Sequence, residues 1–392
     1  MRNRVCIVGI GVVEPDQSMF QLSHKELLFY STRKALDDAG LERKDIGGAI
    51  TSSYDLLEGR SLSNQYTLDS IGGVMKQCDL RLGDDGIYSL FAGYMEVMVD
   101  PSKFIVVASV QKASDRDPEG LAYQKIVAAS LEPLFSRPVC NAVPSLLGLE
   151  PVLAAMEARA FMERTGLKEE QLARVAVKNL NNTDSSMKKS NINVKAVLES
   201  ELLSWPIRQL TRAKETDAAC TLILASEKKI RSTRKSPVFV SGIGWCSDQS
   251  HLAFRQQGVS RETKWAAHQA YKMAGIQRPD KEINLAEVSD WYAHRELMHC
   301  EALGLSNQDE IGSCIANGVF EKNGALPVNV SGGLLGKGNA IGPSGLIRVA
   351  QVALQIRGQA NGYQVRGVET GLAHSWSGIP VATAGVVILS KW

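Results

Sequence analysis

Apolar and polar positions along this chain follow two alternating periods. The run from Val5 to Val13 is almost unbroken in its apolarity and reads as a buried strand. A polar loop and an amphipathic stretch follow, ending at Ala39-Gly40, and a second apolar run covers Gly47–Ser52. The same order returns in the second half. Val8-Gly9-Ile10-Gly11 ahead of Asp16-Gln17 is echoed by Ser241-Gly242-Ile243-Gly244 ahead of Asp248-Gln249. Ala35 to Asp45 is echoed by Ala270 to Asp280, and the second apolar strand by Ile283–Val288. Both helices stop at Ala-Gly, where glycine takes the left-handed conformation at little cost. Strand–helix–strand at this spacing predicts parallel pairing through a crossover helix. Two echoes, in order and at nearly equal offset, predict a duplicated α/β unit.

Residues 114–236 break the pattern. A stretch with Pro133, Pro138, Pro144 and Pro151 leads into predicted helices at Pro151–Thr165 and from Lys168 to about Leu180. The chain thus divides into 1–113, an insertion and return over 114–236, and 237–392. Composition narrows the function classes. Lys+Arg 44 against Asp+Glu 42 leaves +2, so nucleic acid and anionic membranes are not expected partners. No window approaches the roughly 18 apolar residues of a membrane span. Glu14-Pro15 directly after the first apolar run favours a strand over a signal peptide. Seven cysteines without a Cys-x-x-Cys pair suggest neither a zinc site nor a disulfide framework, and a reduced, cytoplasmic chain is expected. No metal ligand set is expected.

The densest glycine region runs from Ser331 to Gly345, before a helix predicted from about Leu346 to Arg357. It fits neither a Walker loop nor a dinucleotide fingerprint, and is read as a ligand-lining loop. Its counterpart is Gly83 to Ser89, ahead of a helix predicted from about Leu90 to Val99. A helix start sits in positive backbone potential, so Ser89 occupies the place of a nucleophile or of a simple helix cap.

Several of these segments resemble the thiolase superfamily, in its sterol-carrier-protein-type and archaeal branch. They are Ala158–Gly166 with Glu170–Asn179, Asp217–Ala225, Leu326–Gly333 and the glycine loop to Gly345. The resemblance covers essentially the whole chain. It implies a five-layered α-β-α-β-α fold of two duplicated halves, with 114–236 as a loop domain over bound coenzyme A. It also implies an acyl-CoA ligand, no covalently bound cofactor, and a homodimer or a heteromer with a small zinc-ribbon/OB-fold protein. Gly338, Gly342, Ser344 and Gly378 are the expected thioester-lining positions.

The family's chemistry is altered at three coupled places. Ser89 stands where the resemblance puts the nucleophilic cysteine. The Glu-Val-His-Asp motif reads Glu287-Val288-Ser289-Asp290, and Gly-His-Pro reads Gly338-Asn339-Ala340. A serine hydroxyl needs a base to attack a thioester, so ordinary thiolysis is not expected. His374, within Gly371–Gly378, is the best surviving acid/base candidate. Ser289, Asn339 and Tyr292 join Ser89 and His374 as catalytic candidates, although Tyr292, which follows the altered motif, is more expected to pack, and His294 to face solvent or a subunit contact. Three readings follow: retro-aldol cleavage at the β-carbon of a CoA thioester, a degenerate subunit of a heteromeric complex, and a divergent thiolase or acyltransferase.

Overall fold

The computed structural model describes residues 4–55, 64–76, 78–115, 149–183, 191–230, 237–249, 254–378 and 382–392. Pro133, Pro138 and Pro144 lie outside these residues. The first half contains β1 (Val5–Asp16), α1 (His24–Ala39), β2 (Ile46–Ser52), α2 (Asn64–Ile71), β3 (Cys78–Leu82), α3 (Gly86–Val99) and β4 (Phe104–Gln111). The insertion supplies α4 (Leu149–Thr165), α5 (Glu169–Asn182), α6 (Val194–Leu198) and a hairpin of β5 (Leu202–Ser204) and β6 (Ile207–Arg208). The chain returns to the first half through β7 (Asp217–Ser226). The second half holds β8 (Val238–Ser247), α7 (Arg261–Ala274), α8 (Pro279–Glu282), β9 (Leu285–Glu287), α9 (Ala293–Ala302) and α10 (Ile311–Ala316). It ends with α11 (Gly333–Lys337), α12 (Ser344–Arg357), β10 (Thr370–Trp376) and β11 (Thr383–Ser390).

The strand order is β3-β2-β4-β7-β1-β8-β11-β10-β9. β1 and β8 pair only at Cys6–Phe239 and Ile7–Val238, so a narrow seam joins two sub-sheets. Each repeats one plan: β1 or β8 lies antiparallel to β7 or β11, and that strand antiparallel to β4 or β10. β4 and β10 are then parallel to β2 and β9. The expected direct pairing of β1 with β2 is therefore corrected. They run in the same direction, but β7 and β4 stand between them, because the wholly buried β7 takes the inner position.

The glycine echo has a packing cause. A Cβ on Gly9 or Gly11 would meet backbone oxygens of α1 at 2.3 and 1.9 Å. On Gly242 or Gly244 it would meet those of α7 at 2.2 and 2.1 Å. Each crossover helix lies directly on its strand, and both end in left-handed glycines, Gly40 and Gly275.

Three hydrophobic clusters complete the layers. α1 covers the outer face of the first sub-sheet, α3 and α12 fill the middle, and α7, α9, α4 and α5 cover the second. The five-layered arrangement implied by the resemblance is present. Among the described residues no helix is long and apolar enough to cross a membrane.

Candidate active site

The buried helices of the two halves begin against each other. Gly86 N–H, at the start of α3, donates to Gly342 O at 2.7 Å. Asp85 caps α3 by accepting from Ile87 N–H at 2.8 Å. Its Oδ2 accepts from Ser375 Oγ at 2.7 Å and from Gly345 N–H of α12 at 3.3 Å. One carboxyl thus bridges two positive helix ends. Beside it, Asp84 Oδ1 accepts from Tyr54 Oη at 2.5 Å, Ser377 Oγ at 3.1 Å and Asp85 N–H at 2.7 Å.

This arrangement corrects the placement of Ser89. α3 begins at Gly86, before the expected start near Leu90, because Asp85 is the side chain that caps it. Ser89 is fully buried within the helix, and its hydroxyl donates to Gly86 O at 2.7 Å. It is neither the cap nor at the helix start.

The tetrapeptide Glu287–Asp290 is fastened at every residue. Both Glu287 oxygens take Ser331, through its amide and its hydroxyl, and Val288 N–H donates to Asn329 Oδ1. Asp290 receives the amides of Leu334 and Leu335 and Nδ2 of Asn179. Ser289 lies between two imidazoles: its N–H donates to His374 Nδ1 at 3.3 Å, and its carbonyl accepts from His299 Nδ1 at 2.7 Å. The Ser289 hydroxyl and His299 Nε2 are buried with no partner among the described residues.

His374, the acid/base candidate, is hydrogen-bonded at both ring nitrogens. Its Nδ1 accepts, so Nε2 carries the proton and faces Thr263 Oγ1 at 3.0 Å. Both ring nitrogens are engaged, the residue is fully buried, and burial holds its pKa well below the ordinary value. His294 is also corrected. It is buried, with Nε2 at 3.1 Å from Glu157 of α4, which Arg295 also contacts. Tyr292 packs as expected, and its hydroxyl donates to Glu150 at 2.8 Å.

In the glycine loop, Asn339 is locked to the returning insertion. Its N–H donates to Lys214 O at 2.7 Å, and its carbonyl accepts from Thr216 N–H. Its Oδ1 accepts from Ser344 Oγ at 2.9 Å, which leaves Nδ2 without a partner among the described residues. Gly338 and Gly378 adopt φ of +100° and +99°, and a Cβ on them would strike Thr216 and Trp291. Gly342 packs against Gln111. The approach each of these three glycines accommodates is to protein. A cavity of about 350 Å³ lies against Gly338, lined also by Asp16, Lys214, Thr216 and Lys337. A larger groove of about 1140 Å³, among the loops at 304–327 and 364–367, contains none of the expected site residues.

Sequence reading missed Tyr54, Asp84, Asp85 and His299. The Asp-Asp pair carried a usable signal, since aspartate ahead of an apolar helical run is a capping signature. Tyr54 and His299 carried none, because only the fold brings them in. Three of the described cysteines are held as neutral thiols: burial pushes Cys6 up to about 12 and raises Cys220 and Cys300 well above the ordinary thiol value.

The buried carboxyls predict a pH dependence. Burial raises Asp85 and Glu287 to about 7. The native state then holds protons that the unfolded chain has released, so this stability is present at low pH and lost as pH rises through about 7. The buried histidines act in the opposite sense, but their contribution is complete above the ordinary histidine value of 6.5. Urea midpoints should therefore fall between about pH 6.5 and 8, by at most about 1.4 kcal/mol per pH unit for each carboxyl. Asp85→Asn should flatten roughly half of that decline, and an unchanged slope would refute the assignment.

A duplicated five-layer α/β fold, with two buried helices meeting head to head beneath a glycine loop, is the thiolase fold. Residues 244–391 match the family described as "Thiolase C-terminal domain-like". Over 99% of both chains the protein is 27% identical to an acetyl-CoA acetyltransferase of Methanothermobacter thermautotrophicus. It is 25% identical, over 99% of its own length and 100% of the relative's, to the 17-hydroxy-3-oxo-4-pregnene-20-carboxyl-CoA lyase of Mycobacterium tuberculosis. Vertebrate sterol carrier protein 2 is also among its relatives. The solved structure of an Ltp2-ChsH2(DUF35) aldolase superposes with a TM-score of 0.81 at 22% identity, covering 99% of this chain and 97% of that one. Its C-terminal domain match and its full-length relatives make the chain similar to the thiolase superfamily, with sterol carrier protein 2 among the proteins it resembles.

Proposed function

We propose that this protein binds an acyl-CoA thioester and acts on the carbon–carbon bond at its β-carbon without forming an acyl-enzyme. The observation that carries this reading is the start of α3. Where covalent chemistry would need a nucleophile, the helix end holds the carboxyl of Asp85, and Ser89 is turned back into the helix. Retro-aldol chemistry needs no nucleophile. It needs a base on the β-hydroxyl and donors that stabilise the thioester enolate. Asn339 Nδ2 and the Ser289 hydroxyl are unpaired donors suited to that oxyanion. Lys214, Lys337 and Thr216 around the cavity beside Gly338 suit a polar, anionic ligand arm, and the insertion over 114–236 is assigned to cover it. A full-length relative named as a CoA lyase supports the same class of reaction.

A second reading, a subunit that binds acyl-CoA without turnover, draws on the same rigidity. His374 has no free nitrogen, and both backbone groups of Ser289 are tied. Assembly accompanies either reading. β3 is an edge strand with Leu80 exposed, suited to pairing across a twofold axis. A structural neighbour is described together with a DUF35 protein, which supports a heteromeric partner; the resemblance makes that partner a small zinc-ribbon/OB-fold protein.

The test is mass-spectrometric product analysis with 3-hydroxyacyl-CoA thioesters, and with 3-ketoacyl-CoA plus free CoA, for the wild type and Ser89→Ala. Cleavage of the hydroxyacyl thioester that survives the substitution is expected. Ketoacyl thiolysis that disappears in Ser89→Ala would make Ser89 a nucleophile and overturn the reading. Tight thioester binding with neither reaction would leave the subunit.

A further inference from the structure

Retro-aldol cleavage needs a base, and the titratable groups near the helix junction differ sharply in what they have free. Asp85 is engaged by both helix starts, and Asp290 by two amides and Asn179. Glu287 is closed by Ser331, and His374 by Ser289 and Thr263. Asp84 differs from all of these. Its three hydrogen bonds fall on Oδ1, from Tyr54, Ser377 and the next amide, and Oδ2 accepts from no described residue. It is only part-buried, next to the exposed Gly83, where an added Cβ would meet nothing within 4 Å. The carboxylate is therefore oriented on one oxygen and open on the other.

We propose that Asp84 is the general base of the carbon–carbon cleavage, and that Tyr54, acting through Asp84, is its positioning residue. This rests on the retro-aldol reading given above. Asp84 Oδ2 takes the proton of the β-hydroxyl, the β-carbon becomes a carbonyl, and the Cα–Cβ bond breaks. Its electron pair passes to the thioester as an enolate. The same proton then returns from Asp84 to Cα, which yields the shortened acyl-CoA and regenerates the carboxylate, so no oxidant or other co-reactant is needed. The Tyr54 phenol stays protonated, because burial and the adjacent Asp84 raise its pKa well above the ordinary value. It therefore donates to Oδ1 throughout and keeps Oδ2 as the reacting oxygen. His299 Nε2, which also lacks a partner among the described residues, is fully buried, with its ring centroid 5.9 Å from that of Trp376.

The experiment uses the full chain and two readouts: cleavage of 3-hydroxyacyl-CoA, and exchange of Cα hydrogen for deuterium in a short acyl-CoA in D2O. Asp84→Asn should lower both by about 10²–10⁴-fold, as loss of a general base does. The thioester Kd by calorimetry and the thermal melt should stay within a few-fold and a few degrees of the wild type. Tyr54→Phe should lower kcat by about 10-fold with KM unchanged, whereas a merely structural role would move the melt and KM together. Asp84→Glu should recover part of what Asp84→Asn loses. Full activity in Asp84→Asn with loss in His299→Asn would overturn the assignment and make His299 the base. A wild type that binds the thioester but neither cleaves nor exchanges would overturn the underlying retro-aldol reading, a result distinguishable from failure of Asp84 alone.

Discussion

Replacing Glu296 with alanine is expected to cost about 3–5 kcal/mol of folding stability, the usual penalty for leaving a buried charge without its partner. Lys178 and Glu296 have side chains at 0% exposure and lie 3.1 Å apart. Glu296 also receives the amide nitrogens of Asn179 and Asn329, at 2.6 and 2.7 Å. Without it, the Lys178 ammonium keeps only Asn179 Oδ1 and Val328 O, and two amides lose an acceptor. Urea denaturation of the purified protein should show the loss directly. The pair Lys178→Met with Glu296→Leu should be less damaged than Glu296→Ala alone, since it removes both charges together. A double variant as unstable as the single one would mean that packing, and not charge, dominates there. The effect should reach the site as well. Asn179 also holds Asp290, which fixes the amides of Leu334 and Leu335 at the start of the glycine loop.

Gly11→Ala and Gly244→Ala should each destabilise the protein by about 3 kcal/mol, the upper range for overpacking a core, because the atoms in the way are backbone. The added Cβ would sit 1.9 Å from Ser31 O in one case and 2.1 Å from Ala266 O in the other. Neither carbonyl can rotate aside without breaking its helix, so α1 or α7 must lift from its strand. The two positions lie in opposite directions from the short β1–β8 seam. Their effects should therefore add within experimental error. Calorimetric melting of the two single variants and the double variant checks both claims. A mild effect at one site and a severe one at the other would show that the halves are not equivalent in packing.

These glycines also explain why so much of the fold was legible. A crossover helix that touches its strand backbone leaves Val-Gly-Ile-Gly and Ser-Gly-Ile-Gly in the chain, and an Ala-Gly stop where the helix ends. Such marks are local, recur at a fixed offset, and identify a duplication without coordinates. The departures from thiolase chemistry at Ser289 and Asn339 were legible in the same way, because each replaces one residue inside a recognisable string.

Where the sequence misled, the deciding contacts join residues far apart in the chain. Ser89 looked like a helix start because the apolar run begins at Leu90, yet Asp85, four residues before Ser89, caps the helix and bridges to Gly345 and Ser375. His374 reads from the sequence only as an acid/base candidate, and it is the distant Thr263 and Ser289 that close both nitrogens. Tyr54 gains significance only because β2 ends beside the loop before α3, where Asp84 waits for a donor.

The sequence by itself determined the duplicated strand–helix–strand plan, the insertion, the superfamily resemblance and the loss of the usual catalytic side chains. All of these are written in patterns of adjacent residues. The tertiary structure alone decided which groups are closed and which stay open, because a hydrogen bond across hundreds of residues leaves no periodic trace. A carboxylate with one oxygen held and the other free is a property of three elements meeting at one point, and no single one of them encodes it.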